Sequence, residues 1–338
     1  MRKPKVALGS LGGTIAMTDR TGRGLEPTLG AVGLLEALPD LAQAATIEPE
    51  TLALLPGASL GYKELLSALG WAQEAVDAGA TGVVLTQGTD TLEESAYLLD
   101  LYWDRSAPLV VTAAMRAAER PGSDGTGNLA ASVAVAVNGR SRGRGVLVVL
   151  NDEVHAAVRV SKRDSTALGA FQSSVFGPLG RLVEGEPAYG NQAPRHPPLA
   201  WPLPVSREPR VALLTTHLAD AGELLALVAD GGYDAVVLAA LGVGHVSQGV
   251  AEVVGKVADR MPVVFATRTG AGPTARRTYA FVGSETDLIS RGALPAGWLS
   301  PVQARLLLWA LLRQGCAPAL IEHEFTLRGD LHNDDAAT

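Results

Sequence analysis

The sequence predicts an α/β fold: a larger N-terminal, mostly parallel, doubly wound domain followed by a smaller C-terminal α/β domain. Three observations predict it. Short, wholly apolar runs alternate with stretches of helical periodicity, as buried parallel strands and their crossover helices do. A proline-rich stretch breaks both periodicities in the second half of the chain. The chain's 338 residues are more than a single hydrophobic core ordinarily serves.

Val6–Leu8 reads as the first strand and runs into the glycine turn Gly12-Gly13. Glu64–Asp77 has helical spacing, and Gly82–Thr86 (GVVLT) reads as a buried strand. A helix over 91–103 follows, with Leu92, Ala96, Leu99 and Trp103 on one face. Glu93 and Glu94 fall in its first turn, where the helix dipole favours acids. Further strands are expected at Leu109–Thr112, Val146–Leu150, Val211–Leu214, Ala235–Ala239 and Val263–Ala266. Such alternation implies a largely parallel sheet with helices on both faces. Residues 191–209 (NQAPRHPPLAWPLPVSREP) read as an extended linker between domains 1–190 and 210–338. The closing NDDAAT reads as a frayed tail.

Composition narrows the function. With 47% hydrophobic and 19% charged residues, the chain suits a compact enzyme and not a disordered one. A net charge of −7 argues against a nucleic-acid partner, and Arg140–Arg144 (RSRGR) reads as a solvated turn. The single cysteine, Cys316, excludes an intrachain disulfide. No HExxH or Cys/His cluster is present, so neither a metal nor a cofactor is expected, and His323 reads as a surface residue. No apolar run is long enough to span a membrane, and the one after the basic N-terminus is too short for a signal peptide. The expected compartment is the cytoplasm.

In open parallel sheets, ligands bind outside the C-terminal ends of the strands. Three strand-end loops are rich in hydroxyls, carboxylates or glycines: Leu8–Ala16 (LGSLGGTIA), Thr86–Thr91 (TQGTDT) and Ala113–Asn128 (AAMRAAERPGSDGTGN). In the first, Gly12 and Gly13 allow a tight turn and a close backbone approach. Thr14 is then placed either to meet a substrate carbonyl or simply to cap. The loop does not match the G-x-G-x-x-G dinucleotide pattern. In the second, Thr89 and Asp90 serve as N-caps, as substrate contacts, or one as each. Lys162, in VRVSKRDST, is either a surface charge or the base for a threonine hydroxyl, if burial lowers its pKa. Asp90 beside it would orient the lysine and at the same time favour its ammonium form.

Taken together, these motifs resemble one family. Thr14 in GGTIA, Thr89-Asp90 in GTDT followed by LEESAYLLDL, Ala114-Met115-Arg116, Asp124-Gly125 with Asn128-Leu129, Gly145–Asp152 and Lys162 are similar, in order and spacing, to the bacterial-type L-asparaginases. GVGHV at 242–246, TRTGAG at 267–272 and SPVQARLLL at 300–308 extend the likeness past the linker.

The resemblance implies hydrolysis of L-asparagine to L-aspartate and ammonia. The GGTIA threonine, here Thr14, would attack the side-chain amide, release ammonia and form a β-aspartyl ester that water then cleaves. The family's second threonine falls on Thr89, its lysine on Lys162 and its carboxylate on Asp90, which would also bind the substrate α-ammonium. Gly88 and Ala114 would lie against the substrate, with backbone N–H groups near Thr89 and Ala114 stabilising the oxyanion. The serine that binds the α-carboxylate falls on Ser59 in LPGASLG, or on Ala58 if the register shifts by one. The resemblance also implies a homodimer or homotetramer in which a neighbouring subunit supplies Glu285, while His245 stands where asparagine is common. No cofactor is implied.

The chain departs from the family pattern at Leu11, where threonine is usual, and at Gln87, where histidine is frequent. MTDRTGRGLEP lacks the tyrosine that activates the nucleophile in many members; Gly24 lies near its place. Another group, or Tyr62 or Tyr279 folding in from elsewhere, would then activate Thr14. Ala16–Thr28 reads as a lid that excludes water on closure. Glutaminase side activity is expected, because one methylene discriminates only modestly. Two other functions compete. An asparaginase-like amidotransferase subunit would carry an extra N-terminal domain. A non-catalytic amino-acid sensor would keep the Asp90 site without turnover.

Overall fold

A computed structural model describes residues 3–19, 22–202 and 204–331, so the NDDAAT tail lies outside the described residues. The chain divides into two compact units, Met1–Leu199 and Ala200–Thr338. Both are α/β, and the first is the larger, as the sequence predicts.

The first unit is built on an eight-stranded sheet. Its strands are β1 (Lys5–Gly12), β2 (Thr46–Leu55), β3 (Gly82–Thr86), β4 (Leu109–Thr112), β5 (Val146–Leu150), β6 (Glu153–Ala156), β7 (Gly180–Val183) and β8 (Glu186–Tyr189). Their order across the sheet is β8-β7-β6-β5-β4-β3-β1-β2. The run β2-β1-β3-β4-β5 is parallel, and the last three strands are antiparallel. Strands β3, β4 and β5 are buried along their whole length, as the continuous apolar runs require of central parallel strands. Asn151 and Asp152 join β5 to β6 with φ of 51° and 58°, a primed hairpin turn that suits Asn and Asp. Edge strand β2 contains Pro49, which an edge tolerates because one side of its backbone needs no ladder partner.

Three long helices, α1 (Tyr62–Asp77), α2 (Leu92–Tyr102) and α3 (Gly125–Val137), cover the sheet, together with the short helices Ala31–Glu36 and Leu41–Ala44. Leu129 and Val133 of α3 pack with Val6, Leu8, Val84, Val110 and Leu147 in one core. On the opposite face, Trp71 of α1 and Leu85 of β3 close over Gly9. A Cβ there would stand 2.8 Å from the Trp71 ring and 2.7 Å from Leu85. The expected Ala113–Asn128 loop is shorter than its sequence suggests, because α3 begins at Gly125.

The chain passes from β1 outward to β2 and then crosses back to β3, on the other side of β1. The strand order therefore reverses between β1 and β3. At such a switch point, neighbouring loops diverge and leave a crevice at the C-terminal strand ends. Thr14 follows β1 and Thr89 follows β3.

The second unit has four parallel strands in sequence order, β9 (Val211–Thr215), β10 (Ala235–Ala240), β11 (Val263–Thr267) and β12 (Leu294–Pro295). Its helices are α4 (Glu223–Asp230), α5 (Gln248–Ala258), α6 (Glu285–Ser290), α7 (Pro301–Arg313) and α8 (Pro318–Gly329). Helix α7 starts with a capping box between Ser300 and Gln303 and with Pro301 in its first turn, each satisfying or removing an orphan N–H. His323, on α8, is exposed.

The start of the proline-rich stretch is fastened to the first unit. The Leu199 N–H donates to the Leu101 carbonyl at 2.7 Å, and Arg195 pairs with Asp100 at 3.2 Å. In the RSRGR turn, Arg140 and Arg142 are exposed, whereas the Arg144 guanidinium lies 4.1 Å from the centre of the Tyr189 ring. Among the described residues, no helix is long and apolar enough to cross a membrane.

Candidate active site

Glycines bring the strand-end loops together. A Cβ on Gly13 would stand 2.1 Å from the Gly88 nitrogen, and one on Gly88 would stand 2.6 Å from the Gly57 Cα. Three loops therefore stack backbone on backbone at one point. Gly13 also takes φ of 80°, a region costly for other residues. Its N–H donates to the Leu55 carbonyl at 2.9 Å, tying the end of β1 to the end of β2. Thr14 and Thr89 each stand one residue beyond this contact. Ser59 lies two residues beyond Gly57, in the short turn Gly57–Ser59.

Thr89 and Asp90 do not cap α2. Its N-cap is Thr91, whose hydroxyl donates instead to the Gly57 carbonyl at 2.8 Å. That bond adds a polar tie to the glycine contact and leaves Thr89 and Asp90 facing other partners. Lys162 Nζ donates to Thr89 Oγ1 at 3.0 Å and lies 3.5 Å from Asp90 Oδ1. Thr89 is buried, Lys162 is half-buried and Asp90 is exposed. A hydroxyl, an amine and a carboxylate thus form a line from the protein toward solvent. Gln87 is fully buried and donates to Ser95 Oγ at 3.1 Å, bracing the same loop against α2.

The third loop is fixed by two side chains to which sequence reading gives no separate role. Asp124 accepts from the N–H groups of Met115 (3.0 Å) and Arg116 (2.9 Å). Asn128 donates to both the Ala113 carbonyl and Asp124, each at 3.0 Å, and accepts from the Asn151 N–H at 2.9 Å. The loop after β4 is thereby locked to the turn after β5. Buried Ala114 joins Ile15, the neighbour of Thr14, in the core.

The Ala16–Thr28 segment leaves this site as a small hairpin stem. Met17–Thr18 pairs with Glu26–Pro27, and the Thr18 and Thr28 hydroxyls meet at 2.7 Å.

The structure therefore draws Thr89, Asp90 and Lys162 into direct contact, and joins Thr14, Gly88 and the Ser59 loop to them through the glycines. Ala58 and Ser59 are both exposed, and the Ser59 N–H is committed to the Pro56 carbonyl at 2.9 Å. Glu93 is the member that sequence reading missed. Seen there only as a first-turn acid, it accepts from the backbone N–H of Lys162 at 2.9 Å. Burial raises its pKa, and the bond from Lys162 is the leading influence against that rise.

Glu285 belongs to the second unit and is fully buried. Burial works against its charge. The N–H groups of Tyr279 (2.7 Å) and Thr278 (2.6 Å) and His245 Nε2 (3.2 Å) oppose that and hold its carboxyl below the usual range. The His245 ring meets Tyr279 and Phe281 edge-on, with centroids 4.8 and 5.0 Å away. Among the described residues, no cluster of His, Cys, Asp and Glu could hold a metal ion.

Known proteins resemble this chain along most of its length. The family model described as Asparaginase, N-terminal, matches residues 5–195, and that of the Glutaminase/Asparaginase C-terminal domain matches 210–325. A probable L-asparaginase of Deinococcus radiodurans is 36% identical over 96% of this chain and 97% of its own length. L-asparaginase 2 of Escherichia coli is 32% identical over 95% and 92%. A crystal structure of a probable cytoplasmic L-asparaginase from Campylobacter jejuni superposes with a TM-score of 0.87 at 29% identity, covering 96% of this chain and 99% of that one.

Proposed function

The chain belongs to the bacterial-type asparaginase family, and from that membership we propose that it hydrolyses L-asparagine to L-aspartate and ammonia through a threonine acyl-enzyme. The observation that carries the reading is the line Thr89–Lys162–Asp90, at 3.0 and 3.5 Å, with Thr89 and Asp90 on a loop held by the Gly13–Gly88 contact that Thr14 also adjoins.

In this reading the Thr14 oxygen attacks the side-chain amide carbon. Its proton passes by way of Thr89 and Lys162 to the departing nitrogen, which leaves as ammonia. Water then cleaves the β-aspartyl ester, giving aspartate and restoring the hydroxyl. Thr89 and Lys162 take the place of the absent lid tyrosine. Asp90, exposed and fixed, binds the substrate α-ammonium and selects an amino acid over a simple amide. The Ser59 loop receives the α-carboxylate, with Gly88 against the substrate and N–H groups near Thr89 and Ala114 at the oxyanion. Glu285 serves the site of a neighbouring copy in a homo-oligomer, and L-glutamine is a slower substrate. We place the reaction in the cytoplasm, the location carried in the description of the Campylobacter structure.

Ammonia release from L-asparagine, L-glutamine and D-asparagine tests this, beside Thr14→Ala and Thr89→Val. Rapid release from L-asparagine is expected, with a loss of about 10³-fold or more in each variant. A folded protein that releases ammonia from none of the three overturns the proposal and favours an amino-acid sensor.

A further inference from the structure

Lys162 lies on the two-residue strand Ser161–Lys162, paired antiparallel with Phe171–Gln172 so that Lys162 faces Phe171. The Arg163 N–H donates to the Ala170 carbonyl at 2.7 Å. That bond, from the residue after Lys162 to the residue before Phe171, marks 162 and 171 as a non-hydrogen-bonded pair. The Lys162 N–H accordingly points away from its partner strand. Glu93 Oε2 receives it at 2.9 Å.

Glu93 stands in the first turn of α2, the helix that Thr89 and Asp90 lead into. One helix start therefore grips Lys162 at both ends: Glu93 takes its main-chain N–H, while Thr89 and Asp90 take its Nζ at 3.0 and 3.5 Å. An acid in this turn has no need to leave water, since the helix dipole favours it while exposed. This one is half-buried and desolvated, and its bond to the Lys162 amide is the leading influence against that burial. A lysine stem has several free rotors, so the placement of its amine depends on where its main chain is fixed.

We infer that Glu93 is a positioning residue for the reaction proposed above, its carboxylate fixing the main chain of Lys162 so that Nζ reaches Thr89 Oγ1. The inference rests on that reading of the site. The hydrogen-bond acceptor is what matters, and an amide oxygen can stand in for the carboxylate.

The test is steady-state ammonia release from L-asparagine by the full-length protein, its Glu93→Gln, Glu93→Met and Lys162→Met variants, and the Glu93→Met/Lys162→Met double variant. Unfolding midpoints are measured alongside. Glu93→Met is expected to lower kcat about 100-fold, the cost of a misplaced catalytic group, with KM within about threefold. Glu93→Gln is expected to retain kcat within about threefold, because its oxygen still accepts the N–H. In the Lys162→Met background, Glu93→Met is expected to change the residual kcat by less than about twofold, since its partner is already gone. Glu93→Ala replaces Glu93→Met in the cycle should the latter not fold. Additive losses in the cycle, or equal losses in the Gln and Met variants, overturn the positioning role while the asparaginase reading stands. A wild-type protein with no turnover overturns both.

Discussion

Gly13 and Gly88 meet backbone to backbone: a Cβ on the first would stand 2.1 Å from the nitrogen of the second. Gly13→Ala would add that carbon at a φ of 80°. We expect a stability loss of at least ~2 kcal/mol, together with loss of ammonia release, because the loops bearing Thr14 and Thr89 would be pushed apart. Urea unfolding and turnover measured side by side provide the check. An alanine variant with wild-type stability and activity would show that the loops do not touch.

Thr91 ties the Ser59 loop to the start of α2 through a 2.8 Å bond to the Gly57 carbonyl. Thr91→Val removes the bond and keeps the shape. If the Ser59 loop receives the substrate carboxylate, KM for L-asparagine should rise about fivefold with little change in kcat, a loss of binding more than of chemistry. Thr91→Ser should restore KM. A fall in kcat at constant KM would contradict this role for the loop.

Asn128 makes three hydrogen bonds from a buried position, to Ala113, Asp124 and Asn151. Asn128→Ala leaves those groups without their partner. The expected cost is ~2–4 kcal/mol, read as a shift in the urea midpoint. A cost under ~0.5 kcal/mol would mean that water replaces the side chain freely.

His155 on β6 is fully buried, with Nδ1 3.0 Å from Ser173 Oγ. Burial, aided by the positive charge of Arg181, lowers its pKa to about 4. Glu153, 3.5 Å from Nε2, favours the cation but does not outweigh burial. Between about pH 6.5 and this value the unfolded chain binds a proton that the folded one refuses. Stability therefore falls as pH drops through that window, by up to ~3 kcal/mol in total. In His155→Gln the slope of stability against pH from 6.5 to 4 should flatten by about one proton. Unchanged slopes in the two proteins would assign the acid sensitivity to other groups.

What the sequence made legible follows from burial. Strands β3, β4 and β5 lie where apolar runs place them, because a parallel strand covered on both faces must be apolar throughout. Edge strand β2 (TIEPETLALL) escapes that reading: its exposed positions carry glutamates and threonines and its backbone admits a proline. Helix α3 (GTGNLAASVAVAV) escapes it for the opposite reason, since small and apolar residues surround it and no polar stripe marks its period. The loops rich in functional groups were visible as compositions. Their meeting was not, because Thr89 and Lys162 are 73 residues apart in the chain, and periodicity carries no information about such pairs. Only the family resemblance set them side by side. Glu93 shows the remaining limit: a helix-start acid is readable, but the amide it binds belongs to a hairpin that no local pattern orients.

The glycine contact described above acts like a machinist's gauge. The distance between the two threonine loops is set by the thickness of a peptide chain, not by the size of any side chain. Repacking the interior, exchanging surface charge or redecorating the outer loops leaves that thickness untouched. Many side chains elsewhere in the chain could therefore change without altering that separation, because the calibrated part contains no side chain to vary.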